Sequence, residues 1–292
     1  MNPSTSSRPA VVVGVDGTPG ALRAAQWGAV EAAGRDLPLR LVFAIDPACS
    51  TGIDDMDARG AVTALAEAAH RVRLADGSVE VVESVVHGSP VAALVQGTER
   101  PAMICLGSSG PRPAHPGHHG STATEVLLSA DCPVAIVRGQ ASRHGGVVAP
   151  VDAEPAAFDV LALAVAEAVL RRLPLRALTG WTLRSVASSD PVGELDRRLR
   201  LDLDRWRRQH PHLDAVVVAA PDLGVFLSRN TGRVALFVGP ERMTHDVGTV
   251  VHASVETAIA SLDCPVIVGA GRGNATVPSA RYDPPSGATH RM

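Results

Sequence analysis

The segment LGSSGPRPAHPGHHGST, from Leu106 to Thr122, holds residue types that could bind a phosphate. Its glycines stand at positions 107, 110, 117 and 120, and the last one is followed by Ser121 and Thr122. Because glycine has no Cβ, it lets backbone N–H groups approach an anion closely. The pattern favours a phosphate-binding loop if a strand precedes the segment and a helix follows it.

The same segment contains three histidines, His115, His118 and His119, which leave a metal site open as a second interpretation. Histidine-rich tracts can coordinate zinc. No paired cysteine or carboxylate stands nearby at ligand spacing, so solvated loop histidines are favoured and no metal site is predicted.

The elements around the segment are those that a phosphate loop needs. The apolar run at 102–107 predicts a buried strand before it, and a helix is expected at 122–130 after it. Upstream, a strand at 11–15 leads to a helix that begins after Thr18 and Pro19 and ends at Gly34, an expected C-cap. The other expected elements of this part are strands at 39–45, 79–86 and 132–138 and helices at 58–75 and 90–98. The loop then lies at the carboxyl edge of an open sheet, where ligands bind and where Asp16 faces the same crevice.

The chain repeats this pattern. Asp16 and Asp152 are 136 residues apart, as are Pro38 and Pro174, whereas Cys132 and Cys264 are 132 apart, which a four-residue deletion explains. Strands alternating with helices predict an α/β protein of two tandem, Rossmann-like, doubly wound domains, each with a parallel five-stranded sheet. We expect these domains at 10–140 and 145–271, with flexible ends at 1–9 and 272–292.

The second copy does not repeat the loop chemistry. The offset of 132 aligns Gly107 with Gly239, but it aligns Gly110 with Arg242, Gly120 with His252 and Ser121 with Ala253. We therefore expect a degenerate second domain that serves packing or partner contact.

Composition narrows the function. The chain has a formal charge of −3 and all its basic residues other than histidine are arginine, which argues against a nucleic-acid partner and excludes a Walker A lysine or a lysine Schiff base. The arginine-rich stretch at 193–210 has leucines at helical spacing and is expected to be a solvated helix face. The four cysteines are expected to be buried and reduced, and no apolar run reaches the length of a membrane span, so we expect a cytoplasmic protein without a membrane partner.

The spacing Gly107-x2-Gly110-x9-Gly120-Ser121 resembles the G-x2-G-x9-G-[S/T] motif of ATP-binding universal stress proteins. The opening VGVDGT, the AID that ends the second strand and the CPV of the closing strand resemble that family too. The resemblance covers about residues 8–270, and two copies are typical of its tandem members. It implies strand order 3-2-1-4-5, packing of the domains through their last strands, and a nucleotide pocket between the first and fourth strands.

The resemblance also implies which residues bind the nucleotide. Asp16 would contact the ribose or adenine side, and Ala44 would meet adenine through its backbone. Arg112 could add a basic partner for phosphate. The full expected set is Val15, Asp16, Ala44, Leu106, Gly107, Ser109, Gly110, Gly120, Ser121 and Thr122, with ATP, alone or with Mg²⁺, as the cofactor.

Two functions of different classes follow from this. The first is a regulatory, ATP-binding stress-response protein that hydrolyses ATP slowly at most, forms a homodimer and acts on an unidentified regulatory partner protein. No nucleophile and base are placed for faster catalysis. The alternative is a nucleotide-free dimerisation and interaction scaffold, which the degraded second loop favours.

Overall fold

The computed structural model describes residues 8–47, 54–75, 77–97, 100–108, 121–139, 145–151, 156–180, 191–240, 259 and 262–269. The strands are β1 (Ala10–Gly14), β2 (Leu39–Ile45), β3 (Val81–His87), β4 (Pro101–Gly107), β5 (Val134–Val137), β6 (Gly146–Pro150), β7 (Leu175–Thr179), β8 (Ala215–Ala219), β9 (Val234–Pro240) and β10 (Val266–Gly269). The helices are α1 (Pro19–Gly34), α2 (Asp54–Ala75), α3 (Pro90–Val95), α4 (Ser121–Ser129), α5 (Ala156–Arg171), α6 (Pro191–Gln209) and α7 (Leu223–Asn230), with one 3₁₀ turn at Thr231–Arg233.

All ten strands form one sheet in the order β3-β2-β1-β4-β5-β10-β9-β6-β7-β8. The first five strands have the expected order 3-2-1-4-5, and the last five repeat it from the opposite edge. β5 and β10 meet antiparallel at the centre, where Ile136 pairs with Val266, whereas the other neighbouring strands pair parallel. The α/β class is confirmed, and the two expected five-stranded sheets are joined into one. We call residues 8–139 the first half and 145–269 the second half.

Each face of the sheet carries its own apolar layer, and both layers run across the two halves. One layer packs under α1, α2, α5 and α6, and the other under α3, α4 and α7. Apolar side chains on both faces explain why β1 reads as a continuous run of valines, which are fully buried. The expected domain limits stay a prediction, since residues 140–144 lie outside the described residues.

Helix α1 begins as its sequence predicts, but it ends for a different reason. Thr18 Oγ1 accepts a hydrogen bond of 3.2 Å from Ala21 N and caps the first turn. Gly34 is not the left-handed cap that was expected, because the positive φ of 51° belongs to Asp36. Gly34 instead packs against Leu170 of α5: a Cβ there would lie 2.2 Å from Leu170 Cδ1, so a larger residue would require the Leu170 side chain to shift.

Several other elements begin or end at residues that differ from the predicted ones. β3 starts at Val81 and continues to His87 because His87 still pairs with Ile45 of β2. α2 begins four residues earlier than position 58, and α3 ends at Val95, where the N–H groups of the next residues bond back to Ala92 O. These shifts do not change the order of the elements.

The arginine-rich helix α6 packs one face on the sheet, as expected. Leu195, Leu199 and Leu203 are buried there. On the outer side Arg200 pairs with Asp196 at 2.7 Å, and the helix also pairs Arg207 with Asp204. The sequence pattern therefore reports an amphipathic surface helix.

Candidate functional site

The candidate site lies where β1 and β4 end side by side. Val13 of β1 pairs with Cys105 of β4, and beyond these strands the chain continues to opposite faces of the sheet. α1 follows β1 on one face of the sheet, whereas α4 follows β4 on the other. The strand order reverses here, so the carboxyl ends of β1 and β4 border a crevice of the kind that binds ligands in open α/β sheets.

Asp16 lies at the mouth of this crevice, two residues after β1. Its side chain is exposed, and Oδ1 accepts hydrogen bonds from Thr18 N at 2.9 Å and from Thr18 Oγ1 at 2.6 Å. These bonds make the turn that starts α1. Among the described residues Oδ2 has no donor, so one carboxylate oxygen is left for a ligand.

Ala44 presents its backbone to the crevice beyond the end of β1. Val15 N donates to Val42 O at 2.8 Å, so the N–H and C=O of the even-numbered residues of β2 point toward β1. The odd-numbered groups face β3, as Gly88 N donating to Ile45 O shows. By this alternation the N–H and C=O of Ala44 point to the β1 side of β2, beyond the last residue of β1. There they offer one donor and one acceptor to a flat base.

Gly107 is required by packing rather than by a ligand alone. A Cβ on Gly107 would lie 2.2 Å from Gly20 C and 2.5 Å from Ala21 N. A Cβ on Gly20 would lie 2.8 Å from Ser108 O. The two glycines therefore bring the first turn of α1 directly against the end of β4. Leu106, by contrast, is buried in the layer under α3 and α4.

Ser108 is the first residue after β4 and is held by its backbone on both sides. Its N–H donates to Val137 O of β5 at 3.0 Å, and its carbonyl accepts a hydrogen bond of 3.3 Å from Arg23 Nη2 of α1. Sequence reasoning missed Arg23, because the pattern of α1 alone does not show which strand end lies beside it.

α4 begins where the hydroxyl pair was expected. Ser121 is its first residue and Thr122 is half-buried. The first N–H groups of a helix have no partner within the helix, and its dipole favours an anion there. The other expected or considered residues, Ser109, Gly110, Arg112, Gly120 and the three histidines, lie outside the described residues.

Comparison with known proteins identifies the family. Residues 8–138 match the model of the universal stress protein family. The universal stress protein Rv2028c of Mycobacterium tuberculosis is 35% identical over 235 residues, which are 77% of this chain and 81% of that protein. A second one from the same organism, Rv2624c, is 32% identical over 88% of this chain and 95% of its own length. The chain belongs to the universal stress protein family.

Solved structures agree on the fold. A universal stress protein from Archaeoglobus fulgidus covers 90% of this chain and 98% of its own, with a TM-score of 0.69 and 18% identity. A shorter universal stress protein that was crystallised in complex with cAMP covers 45% of this chain and 98% of its own, with a TM-score of 0.38 and 28% identity. Another universal stress protein, from Archaeoglobus fulgidus, was solved in complex with dAMP.

The strand register corrects the alignment of this universal stress protein's second half. Ile104 N donates to Pro133 O, and Phe237 N donates in the same way to Pro265 O, so Ile104 and Phe237 are equivalent residues 133 apart. Gly107 is therefore equivalent to Pro240, and the alignment with Gly239 was wrong by one residue.

The second half differs at two more positions of the crevice. The residue equivalent to Gly20 is Ala156, the first residue of α5, which carries the Cβ that Gly20 lacks. Its β7 ends at Thr179, and the equivalent of Ala44 is Gly180, with a φ of +89°. The equivalences to Arg242, His252 and Ala253 involve residues outside the described part of the chain and stay predictions.

The two halves meet at a buried cluster of four charged side chains that sequence reasoning missed. Glu31 and Arg35 of α1 face Glu167 and Arg171 of α5. Arg35 Nη2 lies 2.6 Å from Glu31 and 2.5 Å from Glu167, and Arg171 pairs with both carboxylates. The Arg171 guanidinium also lies 4.7 Å from the centroid of the Trp27 ring. Both glutamates and both arginines recur at the offset of 136, which is the sequence signal that was available.

Burial and neighbouring charges shift the pKa values of the two carboxyl groups in opposite directions. Burial raises the pKa of Glu167 to about 7, with repulsion from Glu31 adding to it against attraction from the two arginines. Burial also opposes ionisation of Glu31, but attraction from Arg171 and Arg35 outweighs it and holds its pKa below the usual value. The neighbouring carboxylates thus keep one proton more readily than two isolated glutamates would.

The cysteines of the described residues are buried free thiols, as expected. Burial raises the pKa of Cys132 and of Cys264 to about 12 and that of Cys105 well above its usual value. Cys49 lies outside the described residues. Within the described ranges no three His, Cys, Asp or Glu side chains gather at metal-binding distance, and no described helix is long and apolar enough to span a membrane.

Proposed function

We propose that the first half binds ATP in the crevice between β1 and β4. The observation that supports this proposal most strongly is that three backbone features lie at the carboxyl edge of the sheet: the outward-pointing Ala44 N–H and C=O, the closely packed Gly107–Ser108 strand end and the start of α4. This edge includes the point where the strand order reverses, where nucleotides bind in related architectures.

Each part has a separate role in the proposal. The Ala44 peptide reads adenine by one donor and one acceptor, and Asp16 Oδ2 accepts a ribose hydroxyl. Ser121, Thr122 and the first N–H groups of α4 take the phosphate oxygens, together with Ser109, Gly110 and Gly120. Asp16 is the carboxylate that would hold Mg²⁺, which would neutralise phosphate charge, since carboxylate and phosphate oxygens are its preferred ligands.

The protein acts in this proposal as a regulatory binding module in the stress response, present in the cytoplasm as a homodimer. Nucleotide occupancy orders the crevice and so alters the surface offered to a partner protein. Hydrolysis is slow at most, because Asp16 is engaged in the turn to α1 and no described side chain stands as a water-activating base.

The test is the nucleotide content of protein purified without added nucleotide. The protein is denatured, the released adenine nucleotides are separated, and their amount is divided by that of protein chains. We expect a ratio near one. A ratio near two would place a nucleotide in the second half as well, and a ratio near zero with no uptake of added ATP would overturn the proposal.

Gly120→Glu locates the site. We expect it to abolish ATP binding, because it adds a carboxylate beside the phosphates and a side chain where backbone must approach. Gly117→Glu is the matched control, since it adds the same charge to the same segment outside the glycine motif. Equal ATP affinity in the two variants would show that the loop is not the site.

A scaffold function is the second candidate, and the central sheet favours it. The antiparallel pairing of β5 with β10 and the charge cluster between α1 and α5 join the halves as two subunits of a dimer are joined. This function alone would leave the protein free of nucleotide in the measurement above.

A further inference from the structure

Arg23 of α1 is not among the residues expected in the nucleotide site. Its Nη2 donates to Ser108 O at 3.3 Å, and its Nε is buried without an acceptor among the described residues. Buried guanidinium donors are normally paired, so Arg23 is only partly satisfied, and its charge lies beside the strand end that borders the crevice.

The end of β4, which Arg23 contacts, is held by both β5 and α1. Ser108 N is bonded to β5, Ser108 O is bonded to Arg23, and the Gly107–Gly20 contact closes the gap to α1. Ser108 is therefore a fixed point at the end of β4. A loop whose backbone must meet phosphates gains affinity from such preorganisation.

The second half carries the opposite charge at this position. α1 and α5 are equivalent at an offset of 136, as the bonds Val15 N–Val42 O and Val151 N–Leu178 O show, so Arg23 corresponds to Asp159. A carboxylate cannot donate to the carbonyl at a strand end and repels an anion beside it. Pro240, which takes the place of Gly107, removes the matching backbone contact as well.

We propose that Arg23 positions the start of the nucleotide loop and makes the first half, rather than the second, the one that accepts an anionic nucleotide. This inference rests on the proposed ATP site. Arg23 then has two roles. It anchors Ser108, and its charge makes the electrostatic potential positive at the phosphate side of the crevice.

The experiment compares ATP and adenosine affinities of the full chain by calorimetry for wild type, Arg23→Ala and Arg40→Ala. Arg40 is the matched control, because it is also half-buried with an unpartnered Nε but stands at the start of β2, at the opposite edge of the sheet. We expect Arg23→Ala to weaken ATP binding about tenfold or more, the factor for one charge-assisted hydrogen bond. For Arg23→Ala the adenosine affinity should change less than about threefold. For Arg40→Ala the affinities for ATP and adenosine should both match those of wild type.

The readout separates a positioning role from a general loss of structure. Damage to the fold would weaken ATP and adenosine alike, whereas a loss confined to ATP supports the proposal. Arg23→Gln, which keeps a donor but no charge, is the second variant if alanine lowers the melting temperature, and it should lose ATP affinity in the same direction. ATP affinity equal to wild type in both variants would overturn the inference while leaving the ATP site intact. Absence of ATP binding by wild type would instead overturn the proposed function.

Discussion

The two halves of this universal stress protein share their architecture but not their crevices. Both halves have the strand order 3-2-1-4-5, the same turn after the first helix, with positive φ at Asp36 and Arg172, and the same Glu and Arg in the buried cluster. At the carboxyl edge, however, the second half replaces glycine by alanine and proline and ends β7 early. The contacts that join the halves are therefore common to both, whereas the crevices differ.

Breaking the shared part should have the largest effect. Glu31→Ala leaves Arg35 and Arg171 with a single carboxylate, and the loss of one partner from a buried ion pair costs about 3–5 kcal/mol. We expect the melting temperature to fall by about 10 °C, measured by circular dichroism. Glu80→Ala, at an exposed position, is the control, and an equally small change in both variants would contradict this view of the cluster.

Breaking the first crevice should have the next largest effect. Gly107→Ala places a methyl group 2.2 Å from the Gly20 backbone, which cannot yield as a side chain can. We expect a loss of about 1–3 kcal/mol in unfolding free energy and a purified protein without nucleotide. Gly60→Ala is the matched control: its Cβ meets no atom within 4 Å, and in a helix interior the change should stabilise by about 1 kcal/mol. Wild-type stability and affinity in Gly107→Ala would refute the close contact.

The pH dependence of stability should separate the two carboxyl groups of the cluster. Glu167 has a folded pKa of about 7 against an ordinary value of 4.5, so between these pH values the folded state keeps a proton that the unfolded state releases. The stability owed to Glu167 must therefore decrease as the pH rises from 4.5 to 7. We expect the melting temperature of wild type relative to Glu167→Gln to decrease over this window.

Glu31 should show the opposite sign. Its pKa is lowered, so its contribution is present above the ordinary value of 4.5 and is lost as the pH falls through the folded pKa. Wild type should exceed Glu31→Gln most at neutral pH and least in acid. Parallel curves for the two glutamine variants would show that the proton is shared equally between the carboxyl groups.

Altering the second crevice should have the smallest effect. Arg242→Ala removes a side chain at a position predicted to be degenerate, so the content should stay at one nucleotide per chain. The same release assay checks this. A loss of nucleotide would mean that the site lies in the second half.

The sequence by itself determined the order of the elements, the repeat and the cap at Thr18, because these follow from local periodicity and from backbone preferences of single residues. It also located the edge of the sheet where Asp16 and Gly107 lie, since parallel strands bring their carboxyl ends to one side, whereas Ala44 was implied only by the resemblance to the family. The predicted boundaries shifted where pairing with a neighbouring strand, as between His87 and Ile45, prolongs an element beyond its own pattern.

Only the tertiary structure decided which residues touch across elements. Gly34 lies against Leu170 and is not a left-handed helix cap, Gly107 is equivalent to Pro240 and not to Gly239, and Arg23 reaches the end of β4. The cluster of Glu31, Arg35, Glu167 and Arg171 likewise forms from two helices that are far apart in the chain. Such contacts depend on the register of strands and the approach of helices, which are set by packing of the whole sheet and leave only weak traces in any single segment.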